Sequence, residues 1–107
     1  MNKKIEMKEF VNMKNVLITG GTTGIGFELA RIFARNNYKV FIVSSNQERL
    51  KEAKCKLEKE FNNTIETIEQ DLSKMNAATE LYHKIKTRGV TIDVLVNNAG
   101  YGLVGAT

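Results

Sequence analysis

Residues Asn15 to Gly26 read N-V-L-I-T-G-G-T-T-G-I-G, and the rest of the chain is organised around them. Val16, Leu17 and Ile18 form an apolar run of strand length, too short for a helix. Gly20, Gly21, Gly24 and Gly26 follow as a turn whose backbone can approach a ligand closely. Behind the turn, Ile25, Leu29, Ile32 and Phe33 recur at helical spacing, which predicts a helix opening at the last glycines with these residues facing inward. A strand that feeds a glycine turn into a helix N-terminus presents unpaired N–H groups and the positive end of the helix dipole. Such a constellation is an anion site, suited to a pyrophosphate.

Composition narrows the classes. With 107 residues the chain has room for one modest domain, and 42% hydrophobic with 26% charged residues is the balance of an ordinary globular protein. The net charge of +4 is spread over mixed runs such as Lys51-Glu52-Ala53-Lys54 and Glu58-Lys59-Glu60, the pattern of a solvated helix face. No stripe of arginines and aromatics accompanies it, so nucleic acid is not an expected partner. No segment approaches the roughly 20 apolar residues of a membrane span, and no membrane partner is expected. A single cysteine, Cys55, excludes an internal disulfide and fits a reducing compartment. The one histidine, His83, has no companion Cys/His cluster, and no metal site is expected. The expected location is the cytoplasm.

Residues 1–12 carry Ile5, Met7, Phe10 and Val11 among lysines and glutamates and are expected to be a leader outside the fold, which begins at Met13. After the first helix, Asn36-Asn37 supplies a stop and Lys39 to Val43 a second strand. Ser45-Asn46-Gln47-Glu48 has the spacing of a capping box, opening a helix with Leu50, Ala53, Leu57 and Phe61 on one face. Asn62-Asn63 ends it, and Thr64 to Gln70 is a third strand. Asp71-Leu72-Ser73 leads into a third helix with Ala78, Leu81, Tyr82 and Ile85 inward, closed by Gly89. Val90 to Val96 is a fourth strand, followed by Asn97-Asn98-Ala99-Gly100. Strands alternating with helices imply a parallel sheet. Right-handed crossovers put the first two helices on one face and the third on the other, in strand order 3-2-1-4. The expected class is therefore α/β, a Rossmann-type parallel sheet truncated after its fourth strand, with the switch point beside the glycine turn.

Thr19-Gly20-x-x-x-Gly24-Ile25-Gly26, then Asp71-Leu72, then Asn97-Asn98-Ala99-Gly100, in this order and at these intervals, closely resemble the short-chain dehydrogenase/reductase family over residues 14–107. The resemblance implies that residues 13–107 are the N-terminal part of an NAD(P)-binding domain. Its parent would be an oxidoreductase moving a hydride between nicotinamide and a small-molecule carbonyl or alcohol, and a homo-oligomer. It implies that Gly20, Gly24, Ile25 and Gly26, with the hydroxyls of Thr22 and Thr23, line the pyrophosphate and adenosine ribose. Asp71 would accept from the adenine amino group with Leu72 beside it. Asn98, Ala99 and Gly100 would lie along the cofactor, while Asn97 braces its strand. Read without the resemblance, Asp71 or Ser73 could simply cap the third helix, and residues 97–100 could be a plain turn.

At the end of the second strand, where an acidic side chain would bind the ribose of NAD, stand Ser44, Ser45 and Asn46. With no carboxylate there to repel a 2′-phosphate, and with Arg49 nearby, NADP is expected over NAD, Ser45 and Asn46 being the contacts. The family's catalytic Asn, Ser, Tyr and Lys follow the N-N-A-G motif at a distance, and this chain runs only seven residues past Gly100, so no catalytic residue is assigned. Tyr82-His83-Lys84-Ile85-Lys86 matches Y-x-x-x-K but precedes that motif. It reads as a decoy, with Tyr82 on the buried stripe and Lys86 pointing elsewhere. Two rival expectations are a catalytically silent NAD(P)-binding module and a nonfunctional gene remnant.

Overall fold

The computed structural model describes residues 13–61 and 65–99. The expected leader at 1–12, the helix stop at 62–63, the first residue of the expected third strand, and Gly100 with the tail lie outside the described residues. Four strands alternate with three helices: β1 (Asn15–Thr19), α1 (Gly24–Arg35), β2 (Lys39–Ser44), α2 (Gln47–Phe61), β3 (Ile65–Glu69), α3 (Ala77–Thr87) and β4 (Val94–Asn97). All pairings are parallel and the order is β3-β2-β1-β4, as the apolar runs and crossover handedness require.

The core lies in two layers, one on each face of the sheet. Val16, Ile18, Val40, Ile42 and Ile65 pack against Ala30 and Ala34 of α1 and against Leu50, Ala53 and Leu57 of α2. The alternate strand residues Leu17, Phe41, Val43 and Ile68 pack against Leu81 of α3. Strands buried on both faces need unbroken apolar runs, which is why β1 and β2 show no polar alternation. Arg31 of α1 joins the first two helices through two hydrogen bonds to Glu60 of α2, at 3.1 and 2.7 Å.

Several boundaries and faces depart from expectation. The buried row of α1 is Gly26, Ala30 and Ala34, whereas Ile25 and Ile32 are 73% and 46% exposed. Small side chains at i, i+4 and i+8 let the helix axis approach the sheet, which turns the large apolar residues to its flanks. Asn46, not Ser45, caps α2: its Oδ1 accepts the Arg49 N–H at 3.0 Å, so the Ser45–Glu48 box does not form. The third helix begins at Ala77, and its inward row is Ala77, Leu81 and the half-buried Ile85; Ala78 and Tyr82 are exposed. The fourth strand is confined to Val94–Asn97. Ahead of it, the Asn15 carbonyl accepts the Asp93 N–H at 2.8 Å, Asp93 Oδ2 accepts the Asn15 N–H at 2.7 Å and the Thr91 carbonyl accepts from Asn15 Nδ2 at 2.8 Å, so side chains share with the backbone in joining the chain here.

The two edges of the sheet differ. Along β3 the carbonyls of Ile65, Thr67 and Glu69 accept from Lys54, Arg88 and Lys84 at 2.6, 3.0 and 2.6 Å. Cations over every second carbonyl blunt this edge against further pairing. No such side chain covers the outer edge of β4 among the described residues. There an apolar groove of about 760 Å³ runs between α3 and β4, with Tyr82, Ile85, Ile92 and Leu95 in its walls.

Candidate functional site

The glycine turn joins β1 to α1 and lies against the end of β4. Gly20 has φ +68°, and a Cβ there would stand 3.1 Å from Ala99 Cα and 3.2 Å from Asn98 Nδ2. A Cβ on Gly26 would collide with the carbonyl oxygen of Gly20 and approach Asn98 Nδ2 to 2.6 Å. Only glycine at both positions lets α1 close on the turn.

The turn is bonded on both sides. Its Gly20 N–H donates to the Val43 carbonyl at 2.9 Å, and its Gly20 carbonyl accepts from Asn98 Nδ2 at 3.1 Å. Thr19, 4% exposed, has Asn97 Oδ1 as an acceptor at 3.1 Å, and its hydroxyl oxygen takes the Ala99 N–H at 3.0 Å. These bonds bring β1, β2 and the residues after β4 together at the carboxyl ends of the strands, where the strand order reverses.

The N-terminus of α1 is left open. Thr23 stands at the cap with φ −144° and ψ 164° and makes no side-chain hydrogen bond to the helix, and the first turn holds no acidic residue. The positive end of the helix is thus neither capped nor neutralised by its own sequence. Thr22, Thr23, Gly24 and Ile25 line an open groove of about 690 Å³, whose opposite wall includes Arg49 and Lys56 of α2.

Ser45 and Asp71 lie on a different cleft, about 630 Å³, between the end of β3 and α3. Asp71 caps nothing: its Oδ1 accepts from the Ser73 hydroxyl at 2.6 Å and from the Ser73 N–H at 3.0 Å, well before α3 begins. The Ser73 hydroxyl first, and its N–H second, hold the Asp71 carboxyl below its ordinary value. The carboxylate is exposed, with Oδ2 free of protein partners among the described residues. Leu72 packs inward against the α3 layer.

The expected contacts therefore form three groups at the carboxyl ends of the strands. Gly20, Gly26, Asn98 and Ala99 touch one another; Thr22 to Ile25 share the α1 groove; Ser45 and Asp71 share the β3–α3 cleft. Asn46 lies at the cap of α2 with its oxygen already engaged. Sequence reasoning missed Gln70, 3% exposed, whose Nε2 donates to Glu80 Oε1 at 2.8 Å. Nothing in the spacing points to a pair ten residues apart across a turn.

Tyr82 and Lys86 form a pair after all. Lys86 Nζ lies 3.4 Å from Tyr82 Oη and 5.5 Å from the ring centroid, and Tyr82 is 57% exposed. One helical turn of spacing accounts for the contact. The pair borders the apolar groove beside Gly89 to Ile92, where the chain enters β4, away from the glycine turn. Among the described residues, no group of three His, Cys, Asp or Glu side chains could hold a metal ion, and no helix is long and apolar enough to cross a membrane.

A family model described as short chain dehydrogenase matches residues 14–107. The very-long-chain 3-oxoacyl-CoA reductase of Rattus norvegicus is 40% identical over 86 residues, which is 78% of this chain and 26% of that protein. The fatty acyl-CoA reductase of Acinetobacter baylyi is 37% identical over 102 residues, 94% of this chain and 34% of that protein. Among solved structures, L-sorbose reductase from Gluconobacter frateurii, complexed with NADPH and L-sorbose, superposes with a TM-score of 0.73 at 27% identity, covering 80% of this chain and 33% of that one. The chain spans only about a quarter to a third of the length of these relatives.

Proposed function

This chain belongs to the short-chain dehydrogenase family, and from that membership we propose that it is the dinucleotide-binding part of an NAD(P)-dependent oxidoreductase acting on a small-molecule carbonyl or alcohol. The observation that carries the reading is the backbone contact of Gly26 with Gly20, closed to any Cβ, which seats an uncapped, uncompensated helix N-terminus directly on the glycine turn. Such a helix N-terminus fits a pyrophosphate, whose oxygens take the free N–H groups of the first helical turn. The bound dinucleotide supplies the hydride chemistry.

The remaining assignments concern this chain's own side chains. Gly20, Gly24, Ile25 and Gly26 form the backbone surface for the pyrophosphate, and the Thr22 and Thr23 hydroxyls reach the adenosine ribose. Asp71 accepts from the adenine amino group with its free Oδ2, and Leu72 holds the turn to the core. Asn98 and Ala99 border the nicotinamide side, Asn98 also fastening the turn through Gly20; Gly100 completes that border. NADP is preferred over NAD: Ser45 and Asn46 bring no negative charge, and Arg49 and Lys56 line the same groove as Thr22 and Thr23, against Glu28 and Glu52. Residues 1–12 form a leader, and residues 13–107 form the cofactor-binding part of the domain. The protein acts in the cytoplasm as a homo-oligomer.

The test is spectrophotometric. The full-length gene product is mixed with NADPH or NADH and a panel of aldehydes and ketones, and absorbance loss is followed. Carbonyl-dependent oxidation, faster with NADPH, is the expected result. Equal rates, or a preference for NADH, reverse the cofactor choice, and no oxidation with any carbonyl rejects the enzyme reading.

A further inference from the structure

Gln70 is the residue at which β3 ends and the Asp71 turn begins. Its N–H donates to the Ser44 carbonyl at 3.0 Å, extending the pairing of β3 with β2 by one position. Its side chain is buried, with Nε2 donating to Glu80 Oε1 at 2.8 Å, while Oε1 is buried without a protein partner among the described residues. The opposite orientation of the amide would set its oxygen against the Glu80 carboxylate, so the bond to Glu80 determines how the group lies. An apolar side chain of similar shape at this position would leave no buried acceptor without a partner.

Gln70 and Glu80 stand on either side of the turn that carries Asp71. Lys84 Nζ of α3 also reaches the Glu69 carbonyl at 2.6 Å, one residue before Gln70. Within the turn Ser73 holds Asp71 Oδ1, Lys74 N–H reaches the Asp71 carbonyl at 3.4 Å, and Asn76, at the cap of α3, makes no side-chain cap bond. The Gln70–Glu80 bond and the Lys84–Glu69 bond together fasten the end of β3 to α3, and the first of them is made by the residue next to Asp71. Ser45, Gln70, Asp71 and Glu80 all line the same cleft.

We propose that Glu80 is a positioning residue: through Gln70 it holds the Asp71 turn in the place where the carboxylate meets the base of the dinucleotide. The proposal rests on the assignment of Asp71 to the adenine. Glu80 acts through Gln70, so its loss is felt at the adenosine end of the site and not at the nicotinamide end.

The experiment measures binding to the full-length protein of two fragments, ADP-ribose and reduced nicotinamide mononucleotide, with thermal unfolding alongside. Glu80→Ala is expected to weaken ADP-ribose about tenfold, the effect of losing a hydrogen bond to a charged group, and to leave the mononucleotide unchanged. Glu80→Gln, which keeps the acceptor oxygen, is expected to restore ADP-ribose binding to within about twofold. Gln70→Met is the second variant: it removes both the bond to Glu80 and the orphan oxygen, so binding of ADP-ribose falls while the unfolding temperature holds or rises. Unchanged ADP-ribose binding in Glu80→Ala and Gln70→Met, or equal loss of both fragments, overturns the proposal. So does a Glu80→Gln variant as weak as Glu80→Ala. If the unsubstituted protein binds no ADP-ribose, the dinucleotide reading fails first, and the proposal with it.

Discussion

The carbonyl oxygen of Gly20 occupies the place that a Cβ on Gly26 would need, so α1 and the glycine turn meet backbone to backbone. Gly26→Ala must push the helix off the turn and loosen the hydrogen bond from Asn98 to Gly20. Overpacking of this kind costs about 1–3 kcal/mol. Chemical denaturation of the variant is expected to show a loss in that range, and unchanged stability would mean that the turn yields easily.

Asp71 leads to a prediction about pH. Ser73 holds its carboxyl below the ordinary value, so the turn gains stability at every pH above the unfolded-state value and loses it only as pH falls through the lower, folded-state one. Between about pH 5 and 8 the group stays ionised and can only accept hydrogen bonds. ADP-ribose affinity should therefore show no step from Asp71 across that range. Asp71→Asn should weaken binding about tenfold without introducing one. A step near neutrality that disappears in Asp71→Asn would contradict this.

Tyr82 pairs with Lys86, has the His83 ring edge-on with centroids 5.8 Å apart, and borders an apolar groove whose lining includes no residue of the glycine turn. Tyr82→Phe should leave dinucleotide affinity and turnover of the full-length protein within about twofold, since an exposed hydrogen bond at this distance contributes little. Loss of turnover with the fold intact would assign the pair a chemical role.

Much of this was legible before the structure. The strand order and the division of helices between faces follow from the apolar runs at Val16–Ile18 and Val40–Val43 and from crossover handedness. Faces were harder where size and position compete: periodicity of large residues pointed to Ile25 and Ile32, while the sheet selects the small row Gly26, Ala30 and Ala34. Ser45 and Asn46 are both good caps, and only the backbone path chooses Asn46. The Gln70–Glu80 strap and the cations over β3 join residues distant in sequence, and no local pattern encodes them.

The unequal edges of the sheet bear on the stretch Met1–Thr107 expressed by itself. With β3 blunted by Lys54, Lys84 and Arg88, and with Leu95 of β4 62% exposed, association should proceed through the β4 side. Sedimentation is expected to show oligomers or aggregates, and Leu95→Lys to reduce them. No oxidation of NADPH by ketones is expected from this stretch. A stable monomer would refute the edge argument.

The central claim is that a nicotinamide dinucleotide lies on the glycine turn, and calorimetric titration tests it most directly. NADPH is titrated into the full-length protein, unsubstituted and as Gly26→Val, with circular dichroism confirming that both are folded. Saturable one-site binding to the unsubstituted protein and none to Gly26→Val is the predicted result; equal affinity for a folded Gly26→Val would contradict the account.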